Sequence, residues 1–318
     1  MFEKITDENR KRLWMILFKL AGFCLIVLIN QKFLYRIFLL PAQLWVRSFG
    51  QQASYDQLYF ISWLASDVSS YLVPGLAAFF LFRRDKLPLQ RQESFKPALE
   101  MPLIFFATCF LGSMASLIAQ WISLLLDRLF GTGEIPDAMA GALPSTEQTG
   151  SAWIFFLFVV VIAPICEELI FRRLLLQPLR CCGDIFAAVA SALIFGAYHG
   201  NFDQFPYAFV VGMLYGILAV RSASVLPTMV LHMLNNLLVS MGSYLTDMLG
   251  KNNLWAVQVE SWSAGIMNLA FWIGIPAAVL IFTLKLYRSD REGELRFREL
   301  LECPALYAAG AAAVLMLV

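Results

Sequence analysis

The chain has 318 residues, 59% of them hydrophobic and 15% charged, with a net charge of +1. A soluble domain carries about a quarter charged residues and slightly under half apolar ones, so the composition excludes an ordinary soluble globule and predicts an all-α, polytopic membrane helix bundle. The near-neutral balance provides no basic field, and no nucleic-acid partner is expected.

The first residues, MFEKITDENRKR, are too polar and acidic for a cleavable signal peptide. Apolar runs of suitable length then predict eight spans. The first covers residues 13–29 and includes Lys19, whose ammonium can snorkel. Residues 33–46, bracketed by Lys32, Arg36 and Arg47, read as an amphipathic helix in the interface. The second and third spans cover 58–82 and 103–126, and a polar loop with glycine and proline covers 127–150. The fourth begins near Ala152 and continues to Gln177, where Pro178 stops it. The fifth to eighth cover 185–198, 207–220, 225–245 and 266–287. Residues 304–318 are short for a crossing, and the sequence leaves open whether they span, re-enter or pack at the periphery. This divides one integrated membrane domain into N-terminal helices and loops (1–150), a helical core (151–245) and a C-terminal helix and tail (246–318).

Basic residues fall at alternate span ends: Arg10, Lys11 and Arg12; Arg83, Arg84, Lys86 and Arg91; Arg172, Arg173 and Arg180; Arg221; and Lys285 through Arg298. They share one side if the N-terminus is cytoplasmic, which predicts a multi-pass protein of the cell membrane in that orientation. The six cysteines form no CxxC pair, and those in apolar runs behave as small hydrophobes. Cys181 and Cys182, beside Arg180 on a predicted cytoplasmic turn, are expected to stay reduced. Gly196/Gly200 and Gly212/Gly216 are small-xxx-small pairs that allow close helix approach.

Ionisable groups at membrane depth are costly and point to function. In the fourth span, Pro164 precedes Glu167 and Glu168, and Arg172 and Arg173 follow. Pro164 removes a helix hydrogen bond and is expected to kink the helix. Glu168 and Arg172, four apart with the acid first, share a helix face, whereas Glu167 lies about 100° around. Glu168 is therefore committed in part to Arg172, and Glu167 is the freer carboxylate and the candidate general base. The only two histidines follow on later spans: His199 ends the fifth and His232 lies in the seventh, four residues before Asn236. At 1.5 Å per residue, Glu167, His199 and His232 lie about 17, 24 and 15 Å from the cytoplasmic ends of their helices, a spread that tilt and a kink can absorb.

The order EExxxR at Glu167, Glu168 and Arg172, FxxxH at Phe195 and His199, then HxxxN at His232 and Asn236 resembles the CAAX-protease and bacteriocin-processing (CPBP, or Abi) family of intramembrane proteases. The match runs from about Ala152 to Leu245. The resemblance implies an endopeptidase acting within a membrane helix bundle on a peptide or protein substrate, in some members a lipidated C-terminal tail cut after the modified cysteine. It implies that Glu167, helped by His199, activates water, that His232 and Asn236 stabilise the oxyanion, and that Glu168 and Arg172 support the site. The family is often labelled metalloprotease. HExxH is absent from this chain, the cofactor is unknown, and a metal-free mechanism fits the same residues. If zinc binds, Glu168, His199 and His232 are the candidate ligands.

Two other readings compete. Intramembrane Glu, His, Arg and Asp67 could form the relay of a proton-coupled transporter, although no inverted repeat is present. A non-catalytic immunity or scaffold protein could use the same fold. Asp67 and Gln120 are further buried-polar candidates, expected to hydrogen-bond between helices.

Overall fold

A computed structural model describes residues 7–49, 55–85, 92–130, 152–250, 252–285 and 301–317. Most of the loop expected at 127–150 lies outside the described residues, as do Lys86, Arg91 and the basic residues of 288–298. Every regular element among the described residues is helical, the outcome expected where lipid leaves no solvent for unpaired backbone groups.

Helix α1 (Asp7–Ile29) runs through a π turn (Asn30–Leu34) into α2 (Tyr35–Phe49). The apolar stretch is thus continuous over Arg10–Pro41. It is longer than the predicted first span and merges with the segment expected to lie apart in the interface. No glycine or proline interrupts the chain between Gly22 and Pro41, and the wider turn carries the helix onward. Helices α3 (Tyr55–Phe82) and α4 (Pro97–Phe130) follow.

The fourth span is a broken rod. It comprises α5 (Ala152–Leu157), a π turn (Phe158–Ile162), α6 (Ala163–Glu167), a second π segment (Glu168–Leu175), α7 (Leu176–Leu179) and a 3₁₀ turn (Arg180–Cys182). Beyond it lie α8 (Asp184–Tyr198), α9 (Phe205–Ser222), α10 (Leu226–Leu249), α11 (Leu254–Thr283) and α12 (Pro304–Leu317). Asn253 caps α11 by accepting from the backbone N–H of Trp255 at 3.0 Å and of Ala256 at 3.3 Å, which satisfies donors a helix start leaves free.

Six helices among the described residues are long and apolar enough to cross a membrane: Arg10–Pro41, Trp63–Phe82, Pro97–Leu129, Trp153–Cys182, Phe205–Ser222 and Leu254–Thr283. A polytopic helical bundle therefore stands, but a count of eight is not confirmed. Helices α8 and α12 have 15 and 14 residues, about 21–23 Å at the α-helical rise against a core of about 30 Å. Helix α10 has 24 residues, but His232, Asn235, Asn236, Ser240 and Thr246 dilute its apolar character. Helix α12 packs against α1 and α8, with Ala305, Ala309, Ala312 and Met316 buried. Outward-facing side chains such as Phe80, Trp121, Leu129 and Trp272 are large and apolar, as a lipid-facing surface requires.

Two apolar clusters hold the bundle. One gathers Phe23 of α1, Phe82 of α3, Phe171, Leu175 and Leu176 of the broken rod, Phe195 of α8 and Met316 of α12. The other gathers Ile104 of α4, Leu214 and Tyr215 of α9, Leu231 of α10 and Ala277 of α11. At the predicted cytoplasmic end, Arg221 clamps α9 to the start of α4. Its Nε and Nη2 donate to the two oxygens of Glu100 at 2.7 and 2.9 Å, and its Nη1 donates to Gln92 at 2.8 Å. Such bidentate pairing is the strongest geometry available to a buried arginine.

Candidate active site

Glu167 and Glu168 sit at the junction between α6 and the second π segment. A π turn inserts one residue into the hydrogen-bond ladder and recurs at functional sites. Pro164, at the start of α6, supplies no backbone donor, and the i→i+5 pattern accommodates both that loss and the polar side chains projecting inward. Both carboxylates are buried, with Glu167 7% and Glu168 0% exposed.

Arg172 is the largest fully buried side chain among the described residues. Its Nε lies 3.3 Å from Glu168 Oε2. Its Nη1 donates to Ser191 Oγ on α8 at 3.1 Å, and that hydroxyl donates onward to the Phe171 carbonyl at 2.8 Å. The guanidinium also stacks over the Phe195 ring, with Cζ 4.9 Å from its centroid, a cation–π contact that counts for more when desolvated. Gly212 on α9 makes room for this stack: a Cβ there would stand 2.9 Å from Phe195 Cδ1 and 3.2 Å from Arg172 Nη2.

From α10, the buried His232 reaches both glutamates. Its Nδ1 is 3.1 Å from Glu168 Oε1, and its Nε2 is 3.6 Å from Glu167 Oε2. An ionised carboxylate only accepts, so Nδ1 carries a proton and donates to Glu168. The second nitrogen faces Glu167 across a gap slightly longer than a direct hydrogen bond. The ring is walled by Tyr215, with centroids 5.7 Å apart, and by Phe195 at 6.1 Å.

His199 follows α8 as its capping residue and is half-buried. Its Nδ1 lies 2.9 Å from the Phe195 carbonyl. A carbonyl cannot donate, so this nitrogen carries the proton, and a neutral ring keeps its lone pair on Nε2. The ring packs edge-on to Phe195 at 4.9 Å, and no ion pair joins it to either glutamate. Asn236 Nδ2 donates to the Val159 carbonyl in the first π turn at 2.9 Å. Its neighbour Asn235 is buried and donates to the Tyr207 hydroxyl.

The structure thus brings Glu167, Glu168, Arg172 and His232 into one connected group; His199 meets it through the Phe195 ring, and Asn236 bonds to the Val159 carbonyl instead. The possible zinc ligands Glu168, His199 and His232 do not gather in the same way. Among the described residues, no three His, Cys, Asp or Glu side chains stand close enough to hold a metal ion. The oxygens of Glu168 face Arg172 and His232, and no step is routed through a metal. Of the other polar residues in the spans, Asp67 is half-buried and Gln120 is exposed. Exposure removes the ground for an interhelical role at Gln120.

Two partners carried no motif. Tyr71, on α3, donates its hydroxyl to Glu167 Oε1 at 3.0 Å. Ser191, on α8, anchors Arg172. Ser191 lies 19 residues after Arg172 on a separate helix and Tyr71 lies 96 residues before Glu167, so no local spacing could reveal them.

The architecture and the site define a helical membrane protein with a buried carboxylate–imidazole centre, the class to which intramembrane hydrolases belong. Residues 149–238 match the family of type II CAAX prenyl endopeptidases, Rce1-like. The chain is also similar to the membrane-embedded CAAX protease MroQ of Staphylococcus aureus (strain USA300), at 26% identity over 162 residues, or 48% of this chain and 60% of that protein. The chain thus matches about three-fifths of the length of that curated relative. No solved structure matches significantly. The two matches support the CPBP/CAAX protease family, the family that the motifs resemble, and with the apolar helices they support an integral membrane protein.

Proposed function

We propose that the chain is an intramembrane endopeptidase that hydrolyses a peptide bond of a membrane-associated protein or peptide. The carrying observation is His232 held between the two glutamates, at 3.1 and 3.6 Å, inside an apolar bundle. Peptide hydrolysis needs a base for water and donors for the developing oxyanion. In this scheme Glu167 takes a proton from water while the hydroxide attacks the carbonyl carbon, and the proton passes to the leaving amine. His199, with its lone pair on Nε2, assists the proton transfer. His232 and the second N–H of Asn236 stabilise the oxyanion. Glu168 and Arg172 fix the His232 ring. The mechanism runs without a metal. The protein lies in the cell membrane with its N-terminus in the cytoplasm, and lipidated tails are among its substrates.

The test compares N-terminal peptides in membranes of cells expressing the wild type or Glu167→Gln. New termini that depend on Glu167, with equal amounts of folded protein, support the reading. Identical termini in both samples overturn it. Liposomes settle the rival reading, because a carrier would show carboxylate-dependent solute flux and a protease would not.

A further inference from the structure

Among the described residues outside the family match at 149–238, Tyr71 hydrogen-bonds to the proposed base. Tyr71 Oη donates to Glu167 Oε1 at 3.0 Å, while Glu167 Oε2 is the oxygen that faces His232. The two oxygens are therefore inequivalent. A carboxylate free to rotate would present either one. A donor fixed on Oε1 leaves Oε2 directed at the imidazole.

The Tyr71 hydroxyl can hold the carboxylate only if its own helix is held, and this stretch of α3 is pinned from two sides. Asn30, in the π turn after α1, donates to the Ser69 carbonyl at 3.3 Å and accepts from Ser69 Oγ at 2.8 Å. Asn30 and Ser69 are both fully buried. From α8, the Tyr198 hydroxyl donates to the Ser70 carbonyl at 2.6 Å. Gln31 donates to the Tyr198 carbonyl at 2.6 Å, which ties the residue before His199 to the same turn. The Tyr71 ring packs against Phe158 at 5.7 Å and Tyr198 at 6.4 Å. Catalytic groups gain rate from being held in the reacting geometry before substrate arrives.

We infer that Tyr71 is a positioning residue: it holds Oε1 of Glu167 so that Oε2 is the atom that accepts the proton from water. The inference rests on the proposed role of Glu167. Phenylalanine at this position keeps the ring contacts and removes only the hydroxyl.

The test uses the full-length protein in liposomes and a quenched-fluorescent peptide that spans a junction found in the membrane comparison above. Tyr71→Phe is expected to lower kcat roughly 10- to 100-fold, with KM within about twofold because the hydroxyl touches the base and not the peptide. Tyr71→His, which restores a donor, is expected to recover part of kcat, whereas Tyr71→Leu is not. In the Glu167→Gln background, Tyr71→Phe is expected to change the residual rate less than twofold, since its effect passes through that carboxylate. A merely structural tyrosine would lower stability and act equally in both backgrounds, and that additive result overturns the inference. So does wild-type kcat in Tyr71→Phe while Glu167→Gln is inactive, an outcome that leaves the protease reading intact. If Glu167→Gln cleaves like the wild type, the role of Glu167 as base falls, and this inference with it, while peptide cleavage itself stands.

Discussion

The guanidinium of Arg172 and the carboxylate of Glu168 meet at 3.3 Å with both side chains at 0% exposure. Neither charge has water to turn to. Removing one partner strands the other, at a cost of about 3–5 kcal/mol for a buried pair. Arg172→Ala is therefore expected to unfold at a markedly lower temperature in detergent and to lose cleavage. Arg172→Lys keeps the charge but not the planar fork over Phe195, and is expected to fall between the alanine variant and wild type in both measurements.

Ser191 relays Arg172 to the Phe171 carbonyl through one hydroxyl. Ser191→Ala leaves the buried Arg172 Nη1 without its partner, which costs about 1–3 kcal/mol. Thermal unfolding of the variant should show that loss. Its KM should stay near wild type, because the hydroxyl lies behind the arginine and away from any bound peptide.

At Gly212 a methyl group would intrude on the Phe195 ring and the Arg172 head together. Gly212→Ala is expected to lower both stability and kcat. Overpacking in a filled core costs about 1–3 kcal/mol, and the displaced groups are those that support His232. A drop in thermal stability with unchanged kcat would show that the stack yields without moving the imidazole.

The Arg221–Glu100 clamp joins helix ends that carry none of the catalytic candidates. Arg221→Met is expected to reduce the yield of folded protein and its unfolding temperature. The kcat of the fraction that folds should remain close to wild type, as measured after gel filtration.

Because Glu168 is committed to the Arg172 guanidinium and to His232, and no trio of ligating side chains among the described residues converges on it, cleavage is expected to persist after dialysis against a strong chelator. Elemental analysis of the active, dialysed protein should find no stoichiometric zinc. Loss of activity that zinc restores would overturn this expectation.

What the sequence made legible follows from how far apart the partners stand. Glu168 and Arg172 share one helical segment, so a four-residue spacing was enough to pair them. His232 and Asn236 stood out because polar groups are rare in apolar runs. Tyr71 and Ser191 did not, because tyrosine and serine are common in membrane helices and their partners lie on other helices. The π turns were hidden as well, since hydropathy measures length and apolarity and not hydrogen-bond register. The span count has the same origin: an apolar run by itself does not tell a short helix such as α8, with 15 residues, from one long enough to cross.

Tyr71 lies on a helix that precedes the matched segment and donates to Glu167, and Asn30 braces that helix through Ser69. A chain trimmed to residues 149–238 would retain every motif residue and lose that support. In the proposed scheme helices α1 and α3 therefore help to hold Glu167, and grafting the motif segment onto a foreign membrane anchor would transplant the letters of the site without its shape.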